Sequence, residues 1–136
     1  MALVRTTVTL VLLLAAAGCA SLRAPTCQPG EALSVSELLY FGTAKPIGTV
    51  TSEEWAEFLR VTVTPRFPRG LTTWQASGQW TGADGAIVRE ASFVLSLLHA
   101  DDERAESAFR AIAAEYKSRF NQEAVLRVKS HACTSF

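Results

Sequence analysis

Few side chains in this sequence are of types that carry acid–base or nucleophilic chemistry near neutral pH. There are two histidines, His99 and His131, and three cysteines, Cys19, Cys27 and Cys133. His99 closes an apolar run, where it can serve as a base or simply sit solvated, or beside a helix cap, at a strand end. His131 lies in a polar tail beside Cys133, and Cys27, Cys133 and His131 lack the spacing of a metal-ligand cluster. Neither histidine has a nucleophile elbow near it, so no Ser-His-Asp arrangement is available. Adjacent carboxylates occur as Glu53-Glu54 and Asp101-Asp102-Glu103, at positions where helix capping accounts for them. Phosphate-binding loops and dinucleotide fingerprints are absent. The aromatic and cationic residues left as candidates for a pocket or its rim are Tyr40, Arg66, Trp74, Trp80, His99 and Tyr116. They nominate no cofactor, no metal and no axial haem ligand.

Arg66 belongs to an unusual stretch, "VTPRFPRGLT" from Val63 to Thr72. Pro65 ends a helix, Phe67 can plug its end, and Pro68 and Gly70 shape the reversal before Leu71. The two arginines, Arg66 and Arg69, are not needed for that corner. They are available to pair with a carboxylate or to meet an anionic group.

The beginning of the chain is an address. "MALVRTTVTLVLLLAAAGC" has one positive charge at Arg5, an apolar run from Val8 to Ala17 and small residues before Cys19. Residues 1–18 have the order of a secretory signal, and the run is short of the roughly 20 apolar residues of a bilayer-spanning helix. "AAGC" at Ala16 to Cys19 resembles the lipobox of bacterial lipoproteins. That resemblance implies a diacylglyceryl group on Cys19, palmitate-type acylation of its new amine, and attachment to a membrane through the lipid. Ala20 after the cysteine favours, by the same resemblance, an outer-membrane lipoprotein facing the periplasm. Residues 19–33, rich in Pro, Gly and small polar side chains, then form a tether, and residues 34–136 form one domain.

Loss of Arg5 with the signal leaves 12 Lys and Arg against 13 Asp and Glu. This balance provides no basic field for a nucleic-acid backbone. In an oxidising periplasm the two remaining cysteines, Cys27 and Cys133, are natural disulfide partners, since each lies near one end of a small domain.

Within the domain, "SVSELLYFG" from Ser34 to Gly42 predicts a central strand, with Leu39 and Phe41 on one face and Leu38 and Tyr40 on the other. Thr51 and Glu54 form a capping box, Val50 and Trp55 form the flanking staple, and a helix should run to about Val63. Leu71–Trp80 and Ala86–Ala100 predict a β-hairpin around Asp84-Gly85. Trp74, Ala76, Gly78 and Trp80 share one face of its first strand. Asp101 or Asp102 caps a second helix whose stripe includes Ala105, Phe109, Ile112, Tyr116 and Phe120, with Asn121 as its stop. Glu123–Ser130 predicts a half-exposed edge strand, Leu126 and Val128 alternating with Arg127 and Lys129.

The order strand, helix, strand, strand, helix, strand is the ferredoxin-like βαββαβ pattern: an α+β sandwich with a four-stranded antiparallel sheet and both helices on one face. Its other face carries Tyr40 or Phe41, one tryptophan face and part of Phe93–Leu98. Such an apolar surface calls for a cover, either a second copy forming a homodimer, a small hydrophobic ligand, or another envelope protein.

"YFG" at Tyr40–Gly42, "TSEEWAEFL" at Thr51–Leu59, "VTPRFPRGLT", "GQW" at Gly78–Trp80 and "YKSRFNQEAVLRV" at Tyr116–Val128 together resemble the domain-of-unknown-function 3574 family of small bacterial exported proteins. The resemblance covers about Leu38 to Val128 and implies the fold and an envelope location, with no assigned catalytic residues. With few convergent titratable groups and much aromatic surface, the chain is expected to be a noncatalytic envelope module binding a small molecule or protein through the open sheet face. The alternative is a small enzyme of the dimeric α+β barrel type, oxidoreductase or monooxygenase-like, whose subunits share this architecture. A pocket on which Tyr40, Arg66 or His99 converge would favour the enzyme.

Overall fold

A computed structural model describes residues 26–82 and 84–136; Cys19 and the signal sequence fall outside the described residues. The elements are β1 (Ala32–Gly42), α1 (Ser52–Phe58, continued by a π-helical turn over Leu59–Val63), β2 (Thr72–Thr81), β3 (Ile87–His99), α2 (Glu103–Phe120) and β4 (Val125–Thr134). The sheet order is β2-β3-β1-β4, every neighbouring pair antiparallel. This is the ferredoxin-like βαββαβ arrangement that the order of elements predicts, with β1 and β3 inside and β4 at an edge.

Local sequence accounts for most boundaries. The Thr51 hydroxyl accepts from the Glu54 N–H while the Glu54 carboxylate accepts from the Thr51 N–H, the reciprocal capping box that satisfies two orphan donors. The helix widens at its end into a π turn, Thr64 N–H donating to Leu59 C=O, just before Pro65 removes the next donor. Asp102 caps α2 through the Ala105 N–H, and Asn121 ends it in the left-handed conformation at φ 53°.

The core lies between the helices and one sheet face. Leu39 and Phe41 of β1 and Phe93, Leu95 and Leu97 of β3 meet Trp55, Phe58, Phe109, Ile112, Tyr116 and Phe120 from the helices. The Trp55 ring stacks on Phe93 at 4.8 Å, and Tyr116 meets Phe41 edge-on at 4.6 Å. These rings fill the space between helices and sheet.

A disulfide joins Cys27 to Cys133, closing a separation of 106 residues and tying the entry of β1 to the end of β4. Glu31 has a carboxylate beside this pair, but sulfurs joined to each other are not available as thiolate ligands. β4 runs four residues beyond the predicted Ser130, and that extension brings Cys133 opposite Leu33.

β4 alternates as expected at an edge, and the structure shows which side each residue takes. Arg127 turns toward the helices and lies over the Phe109 ring at 4.5 Å, whereas Leu126 and Val128 stand exposed on the other face. The physical reason is a carboxylate on the next strand: Glu37 of β1 sits fully buried on the helix-covered face, and Arg127 is its partner.

Candidate functional site

The open sheet face is built by strand register. Trp74, Val94, Tyr40 and Leu126 stand side by side across all four strands. Val94, between the tryptophan and the tyrosine, is completely buried, and among the described residues no helix covers this face. Toward the β1 C-terminal end the side chains become small, and Gly42, Gly78 and Ser92 floor a trough of about 560 Å³ walled by Tyr40, Trp80, Val88 and Leu126. Apolar walls with a few placed polar groups are the usual make-up of a small-molecule site.

Glu90 supplies the polar group. Its carboxylate lies over Gly42, where an added Cβ would stand 2.9 Å from Oε1, and Oε2 accepts from the Ala44 N–H at 3.3 Å. The Gln122 amide closes the same end, 3.1 Å from that Cβ position, and donates to the carbonyl of Ala44. From beneath, the Tyr116 hydroxyl donates to the Gly42 carbonyl at 2.8 Å. Burial above all, then the negative charges of Glu90 and Glu54, push this phenol well above its ordinary range, so Tyr116 remains a neutral donor. Chemically, the trough can hold a flat apolar body against Trp80 and offer it a carboxylate as hydrogen-bond or proton acceptor.

A second cleft, about 770 Å³, lies at the other end of the sheet between the 65–70 corner and the start of α2. Arg66, Arg69 and Arg104 line it together with His99. His99 is not the solvated strand-end residue expected from its position. Phe67 and Phe109 pack on its ring at 5.9 and 5.1 Å, and it is only 7% exposed. Its Nδ1 is 2.6 Å from the Ala100 carbonyl, which can only accept, so Nδ1 carries a proton. Nε2 is 3.5 Å from Glu37 Oε1 and has no hydrogen-bond partner among the described residues.

Glu37, beside His99, begins a chain of ionic contacts. Arg127 forks between Glu37 and Glu106, and Lys129 bridges Glu106 and Asp101 at 2.9 and 2.8 Å. His131, expected in an exposed tail, lies on β4 with Nε2 3.4 Å from Asp101. The Arg127 and then the Lys129 hydrogen bonds hold the Glu106 carboxyl at about 2, and Glu106 and Glu37 together raise the Arg127 guanidinium above its already high range.

The six candidate residues therefore separate. Tyr40 and Trp80 meet in the trough, and Arg66 and His99 meet in the second cleft. Trp74 stands on the open face outside both linings, while Tyr116 is a core residue with no exposure. Sequence reasoning missed Glu37, Glu90 and Arg127. A signal for Glu37 was present, because period-two alternation places it on the same face as Leu39 and Phe41, where a carboxylate needs a partner.

With its four-stranded sheet and two helices, the domain is of the ferredoxin-like α+β class. A family described as protein of unknown function (DUF3574) matches residues 36–136, and the chain belongs to that family. No curated protein sequence matches it. A phage SAM lyase solved in complex with S-methyl-5'-thioadenosine is similar in structure, with TM-score 0.59 at 15% identity over 84% of this chain and 96% of that one. The same kind of lyase in its apo state gives TM-score 0.51 at 16% identity, covering 84% and 97%. CutA from Synechococcus elongatus PCC7942 gives 0.53 at 13% identity, covering 79% and 83%. At these identities the likeness establishes the fold. The expectation of a noncatalytic binding module is corrected here: two of the similar structures are of a lyase, and none is described as a noncatalytic envelope module.

Proposed function

We propose that this protein is an enzyme acting on a small, partly aromatic molecule held in the sheet-face trough. The observation that carries the proposal is the Glu90 carboxylate placed over Gly42 at the end of a cleft walled by Tyr40 and Trp80. A flat heteroaromatic ring suits the Trp80 face, and Glu90 is the group positioned to accept a hydroxyl hydrogen bond or a proton. A nucleoside thioether, the class of ligand named in the lyase complex, combines such a ring with hydroxyls and a weakly polar sulfur. Tyr40 limits the trough toward Val94, and a second copy laid on Trp74, Leu126 and Val128 would close it. In the cell, we place the enzyme at the periplasmic surface of the outer membrane through lipidated Cys19; the Cys27–Cys133 disulfide is consistent with an oxidising compartment.

The test is incubation of the intact protein with SAM and with S-methyl-5'-thioadenosine, following product by mass spectrometry and binding by tryptophan fluorescence. Turnover that is lost in Glu90→Gln and binding that is lost in Trp80→Ala support the proposal. Turnover unchanged in Glu90→Gln would end the assignment of that residue, and no fluorescence response to either compound would end the nucleoside reading. Mass measurement of the intact chain checks acylation of Cys19.

A further inference from the structure

The corner "VTPRFPRGLT" keeps two arginines that lie outside the trough. In the structure this corner forms one wall of the second cleft, and Arg66, Arg69 and Arg104 border it with a single carboxylate, Asp102. That carboxylate is already engaged, accepting from the Ala105 N–H at 2.8 Å as the cap of α2. Arg66 is steadied by donating from Nη1 to the Thr62 carbonyl. Among the described residues none of the three guanidinium groups has an ion-pair partner, in contrast to Arg60 and Arg127. Three cations against one committed anion leave the cleft with a net positive field. The buried His99 ring also lines the cleft, with apolar surface from Leu98, Phe67 and Ala108.

We infer that this cleft is a second binding site, separate from the trough, for an amphiphilic anion: a phosphate monoester or carboxylate headgroup joined to an apolar body. The arginines take the headgroup, since planar guanidinium forks match the oxygens of phosphate and carboxylate. The apolar body lies over Leu98 and Ala108. This site does not depend on the activity assigned to the trough.

The experiment is calorimetric titration of the intact protein with octyl phosphate below its micelle concentration, alongside octanol and inorganic phosphate. Octyl phosphate should bind at least tenfold more tightly than either half-molecule, and more weakly as salt rises. The exposed pair Arg69→Ala/Arg104→Ala should weaken it at least tenfold while the fold, checked by circular dichroism, is unchanged. Trp80→Ala should leave it unaffected. Shifts of the His99 ring signals on binding locate the ligand. Nanodiscs with and without phosphatidylglycerol then separate a lipid headgroup from a free solute as the source. Octanol binding as tightly as octyl phosphate, or equal affinity in the double variant, overturns the inference; so does no binding of octyl phosphate combined with His99 signals indifferent to phosphatidylglycerol.

Discussion

The two faces of one sheet are opposite in character, and each is the reverse of a simple inside–outside rule. The covered face holds Phe41 and Leu39 but also Glu37, which is 0% exposed, paired with Arg127 and adjacent to His99. The uncovered face holds Trp74 and Trp80, 44% and 49% exposed, with Leu126 and Val128 beside them. A carboxylate inside and tryptophans outside cannot both be explained by burial of apolar area. The covered face tolerates its charge because Arg127 satisfies it bidentately. Among the described residues the open face offers its rings no such partner, and that contrast fits the proposed division of stability to one side of the sheet and recognition to the other.

The sharpest way to break this division is to damage the covered face first. Phe41→Ala removes a ring in contact with Trp55, Phe58 and Tyr116, and should cost about 3–5 kcal/mol in urea unfolding. Arg127→Ala leaves Glu37 buried without its cation, and should cost about 3 kcal/mol, with Arg127→Lys in between because one ammonium cannot fork to both Glu37 and Glu106. Replacing Cys27 and Cys133 by serine opens a loop of 106 residues and should lose about 2–4 kcal/mol.

A smaller effect belongs to pH. The Glu106 carboxyl is held at about 2 in the fold against an ordinary 4.5, through Arg127 and then Lys129. Its stabilising contribution is therefore complete above about pH 4.5 and disappears as pH falls toward 2. Stability measured across that window should decline less in Glu106→Gln than in the natural protein. The smallest effect should come from the open face: Trp80→Ala changes stability by no more than about 0.5 kcal/mol while removing ligand binding. A Trp80→Ala variant as destabilised as Phe41→Ala would show that the open face, too, is structural.

Much of the fold was legible because its signals are local. The Thr51–Glu54 box, the Asp102 cap and the Asn121 stop each act over three or four residues, and each lies where the pattern places it. The cysteine pairing was also legible, from compartment and position at the two ends of the domain. The candidate site was only partly so. Tyr40, Trp80, Arg66 and His99 were recognisable as residue types, but their separation into two clefts follows from which end of the sheet each strand position occupies. Glu90 carried no local mark, since its role depends on Gly42, which adjoins it only through the pairing of β1 with β3.

By itself, then, the sequence determined the order of elements, the helix limits, the ferredoxin-like class, the family and the cysteines that join its ends, because capping, periodicity and turn chemistry operate between near neighbours. Tertiary structure alone decided that Arg127 turns inward to Glu37, that His99 is buried, and that Glu90 crosses Gly42. Those outcomes depend on strand register, which brings together groups far apart in the chain and makes the desolvation of each depend on the partner it finds.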